Sequence, residues 1–370
     1  MESVHVVWDD SLTRYDFGPS HPMSPVRLDL TIRLARALGV LDHPNVDVVA
    51  PSVAGDDLLT SVHTPALVAA VRRGIYDLDH GLGTDDNPCF PSMHEASATV
   101  VGGSVDAALA VWAGRVTHGV NITGGLHHAM PDRSSGFCVY NDVAVAIRAL
   151  LGAGAERIAY VDVDVHHGDG PQAIFWEDPR VLTISIHESG RYLFPGTGFT
   201  DERGGGPAEG TKVNVPLPPG TGDEGWLRAL GEVVPPRVRD WRPDVLVTQL
   251  GCDTHHTDPL AHLALSTRAY REGATILHEL AHEAAGGRWL ATGGGGYQWA
   301  RVVPRAWTLY FAEMAERPVE DDLPHDWIEL AARESGVAVP DTLSEEPPPA
   351  SEDHAAIDGV IDEVRGAPAS

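Results

Sequence analysis

The chain has 370 residues, and 26 Lys+Arg against 53 Asp+Glu leave a formal net charge of −27. That field excludes a nucleic-acid binder, which needs clustered Lys and Arg for its phosphate contacts. No stretch approaches the roughly 20 apolar residues of a spanning helix, residues 1–5 show no secretory pattern, and Cys89, Cys138 and Cys252 are scattered, so the expectation is a cytoplasmic protein that stays off membranes.

In chain order, β-branched runs at residues 4–8, 46–50, 119–123, 158–163, 181–186, 213–217, 245–250 and 289–292 read as strands. Most are apolar on both faces, as in a parallel sheet covered by helices. Helical patterns run over 25–38, where Pro25 sits at the first turn, over the Ala-rich 95–112, and over 141–151 and 267–285. This alternation predicts an α/β fold: a single-domain parallel sheet of about eight strands sandwiched by helices. Beyond residue 312 the composition changes. Residues 313–370 hold 16 acidic and 3 basic side chains, and Pro347-Pro348-Pro349 interrupts any helix. The expected division is a catalytic body over 1–312 and an acidic extension over 313–370, solvated and flexible from about residue 340.

Chemistry in open α/β sheets collects beyond the carboxyl ends of the strands. Four predicted strand ends carry His, Asp or Tyr beside glycines: Gly124-Gly125-Leu126-His127-His128, the run from Asp162 to Gly170, Gly251-Cys252-Asp253, and four glycines leading to Tyr297. In an extended segment Asp162, Asp164 and His166 share one side. Carboxylate plus imidazole is the ligand set of a hydrolytic zinc, or of iron or manganese, and Asp253 completes a set that leaves one position open for water. Adjacent side chains in an extended segment diverge, so His127 and His128 suit acid–base work better than shared ligation, with Asp162 and Asp169 as the nearest carboxylates to orient them. Tyr297 reads as an exposed phenol on a mobile loop, suited to donate a hydrogen bond to a developing oxyanion.

Together these segments resemble the histone deacetylase family, within the arginase/deacetylase fold. The matching stretches are residues 15–23, 83–88, 124–129, 135–142, 162–170, 194–198, 249–254 and 293–297, and the likeness runs from about residue 4 to 312. Residues 17–22, 93–97 and 252–255 favour the bacterial acetoin-utilisation branch. The resemblance implies one Zn2+, with Fe2+ as the alternative, held by Asp164, His166 and Asp253. It pairs His127 with Asp162 and His128 with Asp169, and has Tyr297 polarise the scissile carbonyl. Phe137, Phe194 and Leu260 would line a narrow acyl-lysine channel, with Asp86 at its rim accepting hydrogen bonds from the substrate backbone. A monovalent cation such as K+ would contact Asp162, Asp164, His166, Ser185 and Ile186. The implied substrate is an acetylated protein or peptide, such as a metabolic acyl-CoA ligase; small N-acetylated polyamines are the alternative. Oligomeric state is left open.

Three rivals are weaker. His278-Glu279-Leu280-Ala281-His282 formally matches the two-histidine zincin motif, but position 285 is alanine where the extended form needs glycine, and the segment lies mid-helix. A binuclear manganese ureohydrolase needs an aspartate two residues after the ligand histidine, where this chain has Gly168. A non-catalytic acyl-lysine reader would not need the full catalytic set. His255-His256 reads as a rim or a solvated loop.

Overall fold

The computed structural model describes residues 2–349 and 352–367. Eight strands, β1 (Val4–Val7), β2 (Val46–Val49), β3 (His118–Asn121), β4 (Ile158–Asp162), β5 (Val181–Glu188), β6 (Lys212–Leu217), β7 (Val245–Gln249) and β8 (Trp289–Thr292), form one sheet in the order β2-β1-β3-β8-β7-β4-β5-β6. Every pairing is parallel. The central strands are buried along their whole length, as continuous apolar runs in a covered sheet should be. Edge strand β2 is largely exposed.

Among the described residues, eleven α-helices flank the sheet: α1 (Val26–Ala37), α2 (Asp56–Leu59), α3 (Pro65–Arg73), α4 (Met93–Trp112), α5 (Asp142–Gly152), α6 (Asp169–Ile174), α7 (Asp223–Trp241), α8 (Thr267–Ala285), α9 (Val303–Met314), α10 (His325–Ser335) and α11 (His354–Gly366). Local chemistry sets their ends. The Asn141 side chain caps α5 by accepting from Ala144 N–H at 2.9 Å, and Gly286, in the left-handed region, ends α8. The alternating strand period assigns the two faces. A Cβ on Gly119 would come within 2.9 Å of the Ala107 carbonyl of α4, whereas the neighbouring His118 side chain meets His278 of α8 at 3.2 Å.

The described part of the acidic extension is packed, including residues beyond about 340, where composition suggested a flexible tail. Leu323, Trp327, Ala331 and Leu343 bury with Leu30 and Leu34 of α1, and Trp327 Nε1 donates to the Leu30 carbonyl at 3.0 Å. Helix α11 buries Ile357, Ile361 and Val364 against α7 and β6. That i, i+4, i+7 stripe supplies enough apolar surface to order an otherwise charged helix. Residues 313–349 and 352–367 thus pack against the body.

Candidate active site

The sheet order makes β3, β8, β7 and β4 neighbours, so the loops beyond their carboxyl ends meet. His166 Nδ1 lies 3.1 Å from Asp164 Oδ1 and 3.1 Å from Asp253 Oδ2. The ligand atoms of these three buried residues all fall within 4.8 Å of one another. Burial and the charge of Asp164 push the Asp253 carboxyl up to about 6. Burial alone would lower His166, but hydrogen bonds with Asp164 and Asp253 raise it to about 10. Two carboxylates crowded in a dry pocket are what a divalent cation relieves, and the donor set fits zinc or iron. The surroundings keep the space clear: a Cβ on Gly251 would stand 2.2 Å from Asp164 Oδ2, and one on Gly295 would stand 1.9 Å from Asp253 Oδ2. Gln249 Nε2 and Gly295 N–H each donate to Asp164 Oδ2 at 2.7 Å, and Val165 N–H donates to Asp253 Oδ1 at 2.9 Å. Such outer contacts fix ligand orientation.

The adjacent imidazoles do not diverge as an extended segment would make them. Residues 124–130 form no strand, and His127 Nε2 and His128 Nε2 come to 3.0 Å. Each ring has its own carboxylate: His127 Nδ1 lies 2.8 Å from Asp162 Oδ2, and His128 Nδ1 lies 2.7 Å from Asp169 Oδ1. Asp162 also accepts from the Tyr160 hydroxyl at 2.5 Å. Burial lowers both imidazoles. For His127, Asp162 and Asp164 overcome it and raise the ring to about 9; for His128, the charge of His127 adds to it and the ring falls to about 4. The two rings are thus shifted in opposite directions, His127 up and His128 down.

Above this floor, the Phe137 ring lies 5.7 Å from Tyr297 and the Phe194 ring 5.0 Å from His128, between centroids. Gly136 and Phe137 both adopt positive φ, and a Cβ at Gly136 would meet the His128 ring at 2.3 Å. Tyr15 Oη donates to the Phe137 carbonyl at 2.8 Å, and Asp86 Oδ2 accepts from Gly136 N–H at 2.6 Å. Half of the Asp86 carboxylate thus clamps the Phe137 loop.

Tyr297 is half-buried and its loop is strapped, contrary to the mobile loop expected from four glycines. Buried Arg27 Nη1 donates to the carbonyls of Gly294 (2.8 Å) and Gly296 (3.2 Å), and Tyr297 N–H donates to Asp258 Oδ2 at 2.9 Å. Burial, with Asp253 and Asp164, pushes the Tyr297 phenol well above its usual range, so it stays a donor. Half-buried Leu260 shares that corner through its N–H on Asp258 Oδ1 at 3.0 Å.

Ser185 lies beside Asp162 in the β4–β5 register, with buried Ile186 next to it, and its hydroxyl contacts Gly168 N–H (3.3 Å) and His187 Nδ1 (2.8 Å). His255 is neither rim nor solvated loop. It is buried and bonds to Glu345, which also meets Arg305 at 3.1 Å; only His256 is exposed.

The supporting residues that sequence reasoning missed are Arg27, Tyr160, Gln249 and Asp258. A buried arginine at a helix start leaves no pattern in sequence. Gln249 was visible only as part of a matching stretch.

A family model, the histone deacetylase domain, matches residues 21–314. The chain belongs to the histone deacetylase family and is a hydrolase acting on amide bonds. Within that family it falls in the AcuC branch. It is 40% identical over 346 residues to the acetoin utilization protein AcuC of Bacillus subtilis (strain 168), covering 92% of this chain and 89% of that one. It is 39% identical over 330 residues to AcuC of Staphylococcus aureus (strain MSSA476), covering 87% and 84%. A crystal structure of an HDAC homolog complexed with SAHA superposes with a TM-score of 0.88 at 29% identity, covering 98% of this chain and 100% of that one.

Proposed function

We propose that the chain is a zinc-dependent deacetylase that hydrolyses the amide of acetyl-lysine side chains on proteins or peptides, releasing lysine and acetate. The observation that carries this reading is the convergence of two imidazole–carboxylate pairs, the Asp164/His166/Asp253 ligand set, Phe137 against Tyr297 and Phe194 against His128. Zinc held by Asp164, His166 and Asp253 would supply Lewis-acid polarisation and acidify a water at the site; Fe2+ offers the same chemistry. Neutral His128 takes a proton from the attacking water as its oxygen bonds to the carbonyl carbon, and returns it to the leaving amine as the C–N bond breaks. Charged His127 stabilises the developing negative charge, and the Tyr297 hydroxyl donates to the carbonyl oxygen. Phe137, Phe194 and Leu260 hold the aliphatic stem of the acyl-lysine, and Asp86 Oδ1 takes the substrate backbone. A monovalent cation at Asp162, Asp164, His166, Ser185 and Ile186 would brace the ligand segment; the β4–β5 register supports that position.

Exposed apolar side chains favour a protein substrate. Tyr76 and Leu78 lie on the loop that reaches Asp86, and Tyr192 stands beside Phe194; all are more than half exposed apart from Phe194, at 46%. Exposed apolar side chains of this kind suit an extended peptide better than a small polycation. The net charge of −27 is the one observation on the side of an N-acetylpolyamine. Free thiols at Cys89, Cys138 and Cys252 support a cytoplasmic setting, and no described helix is long and apolar enough to cross a membrane. The test is kcat/KM of the zinc-loaded chain on acetyl-lysine peptides and N-acetylpolyamines side by side. Peptides should be preferred; a preference of more than about tenfold for the polyamines would overturn the substrate assignment.

A further inference from the structure

The zincin-like segment of α8 is not isolated. His278 and His282 lie one helical turn apart and face His118, the first residue of β3, and Glu2, which precedes β1. One ligand atom from each of the four falls within 4.8 Å of the others. His118 Nε2 and His278 Nε2 are 3.2 Å apart, and Glu2 Oε2 lies 2.9 Å from His282 Nε2 and 3.6 Å from His278 Nε2. Four ligands at the roughly 2.0–2.1 Å of zinc–imidazole and zinc–carboxylate bonds stand about 3.3 Å from one another in a tetrahedron. These three spacings bracket that value, while the Glu2–His118 contact is tighter.

One further observation points to a shared ion. Glu2 Oε2 is buried and makes no hydrogen bond of proper direction, although the Nε2 atoms of His118, His278 and His282 surround it. The Nε2 atoms of His118 and His278 also lie within hydrogen-bond distance of each other, a contact that a shared ion would replace. The supports are also in place. Glu313 Oε1 lies 3.2 Å from His278 Nδ1, the carboxylate–imidazole arrangement that turns the opposite nitrogen toward a metal. The Glu2 backbone is pinned, its carbonyl accepting from Asn45 Nδ2 at 2.6 Å while the next carbonyl, of Ser3, accepts from Thr117 and His118 N–H. Gly287 lets His282 approach, since a Cβ there would stand 2.9 Å from the ring. An open groove of about 500 Å³, lined by His278, Glu279 and Glu313 among others, reaches the His278 side of the cluster.

We propose that Glu2, His118, His278 and His282 form a second, closed transition-metal site of the zinc class, which ties the chain's amino-terminal segment to β3 and α8. Glu2 fills the fourth position that a hydrolytic centre would keep for water, so this site is structural and not a peptidase centre.

The experiment counts zinc in full-length Asp164→Ala/Asp253→Ala chain, whose active-site ligands are removed, after ZnCl2 loading and desalting. One zinc per chain is expected, falling below about a tenth when His282→Gln is added. Cobalt in the same background should show tetrahedral ligand-field bands that His282→Gln abolishes. A folded Asp164→Ala/Asp253→Ala chain without zinc, or with zinc that survives His282→Gln, overturns the proposal. If that background does not fold, the otherwise unaltered chain decides instead: two zinc per chain against one in His282→Gln supports the site, and equal counts refute it.

Discussion

The two ends of the sheet hold histidine clusters of similar size and opposite design. At the carboxyl end the proposed ligand set has two carboxylates and one imidazole, and the rings of His127 and His128, the second of them the proposed proton carrier, stand outside it, each with its own aspartate. At the amino end three imidazoles and Glu2 occupy the cluster, and none is left over to carry a proton. The first end opens to an aromatic mouth; the second is closed by its fourth donor. Histidine count therefore says little about catalysis. What matters is whether a basic group is held near the ligands without being one of them.

That contrast can be broken in order of effect. His128→Ala should lower kcat by roughly 100- to 10,000-fold, the usual worth of a positioned base, checked by acetate release under saturating peptide. Tyr297→Phe should cost about 100- to 1000-fold in kcat, with peptide binding by titration little changed. Gln249→Ala, which strips one support from Asp164 without touching the histidine pair, should weaken zinc affinity at the active site by about 10- to 100-fold in a competition with chelator. The smallest effect concerns the acidic extension. A hydrogen bond from His255 and the charge of Arg305 overcome burial and hold the Glu345 carboxyl down at about 2, against an ordinary 4.5; burial lowers His255 itself. A depressed carboxyl contributes stability that is complete above pH 4.5 and is lost as the pH falls toward about 2. The urea midpoint should therefore drop more steeply below pH 4.5 in the wild-type chain than in Glu345→Gln; equal slopes would remove Glu345 from the account.

Strand positions were legible because a covered parallel strand is a short apolar run between glycines. β8 matches its expected bounds, Trp289–Thr292, and β7 ends one residue early at Gln249. Helix α7 was not legible, because Pro235 and Pro236 lie within it and only its tertiary burial of Trp226, Leu230 and Val234 holds it together. Helix α11 hid for the opposite reason: charge obscured three apolar positions. At the site, residues that carry chemistry announce themselves by type and place after a strand. Those that hold them, such as Arg27 and Asp258, act through backbone contacts hundreds or tens of residues away in sequence, which no local pattern encodes. The zincin-like pair shows the converse, since His278 and His282 gain meaning only when folding brings Glu2 and His118 beside them.

The most direct test of the central claim is acetate release from an acetyl-lysine peptide by zinc-loaded Asp253→Ala and His278→Ala chains beside the wild type. With amide hydrolysis at Asp164, His166 and Asp253, Asp253→Ala should lose at least about 1000-fold in turnover. An Asp253→Ala chain that keeps near-normal turnover while His278→Ala loses it would move the chemistry to the other end of the sheet and contradict the account.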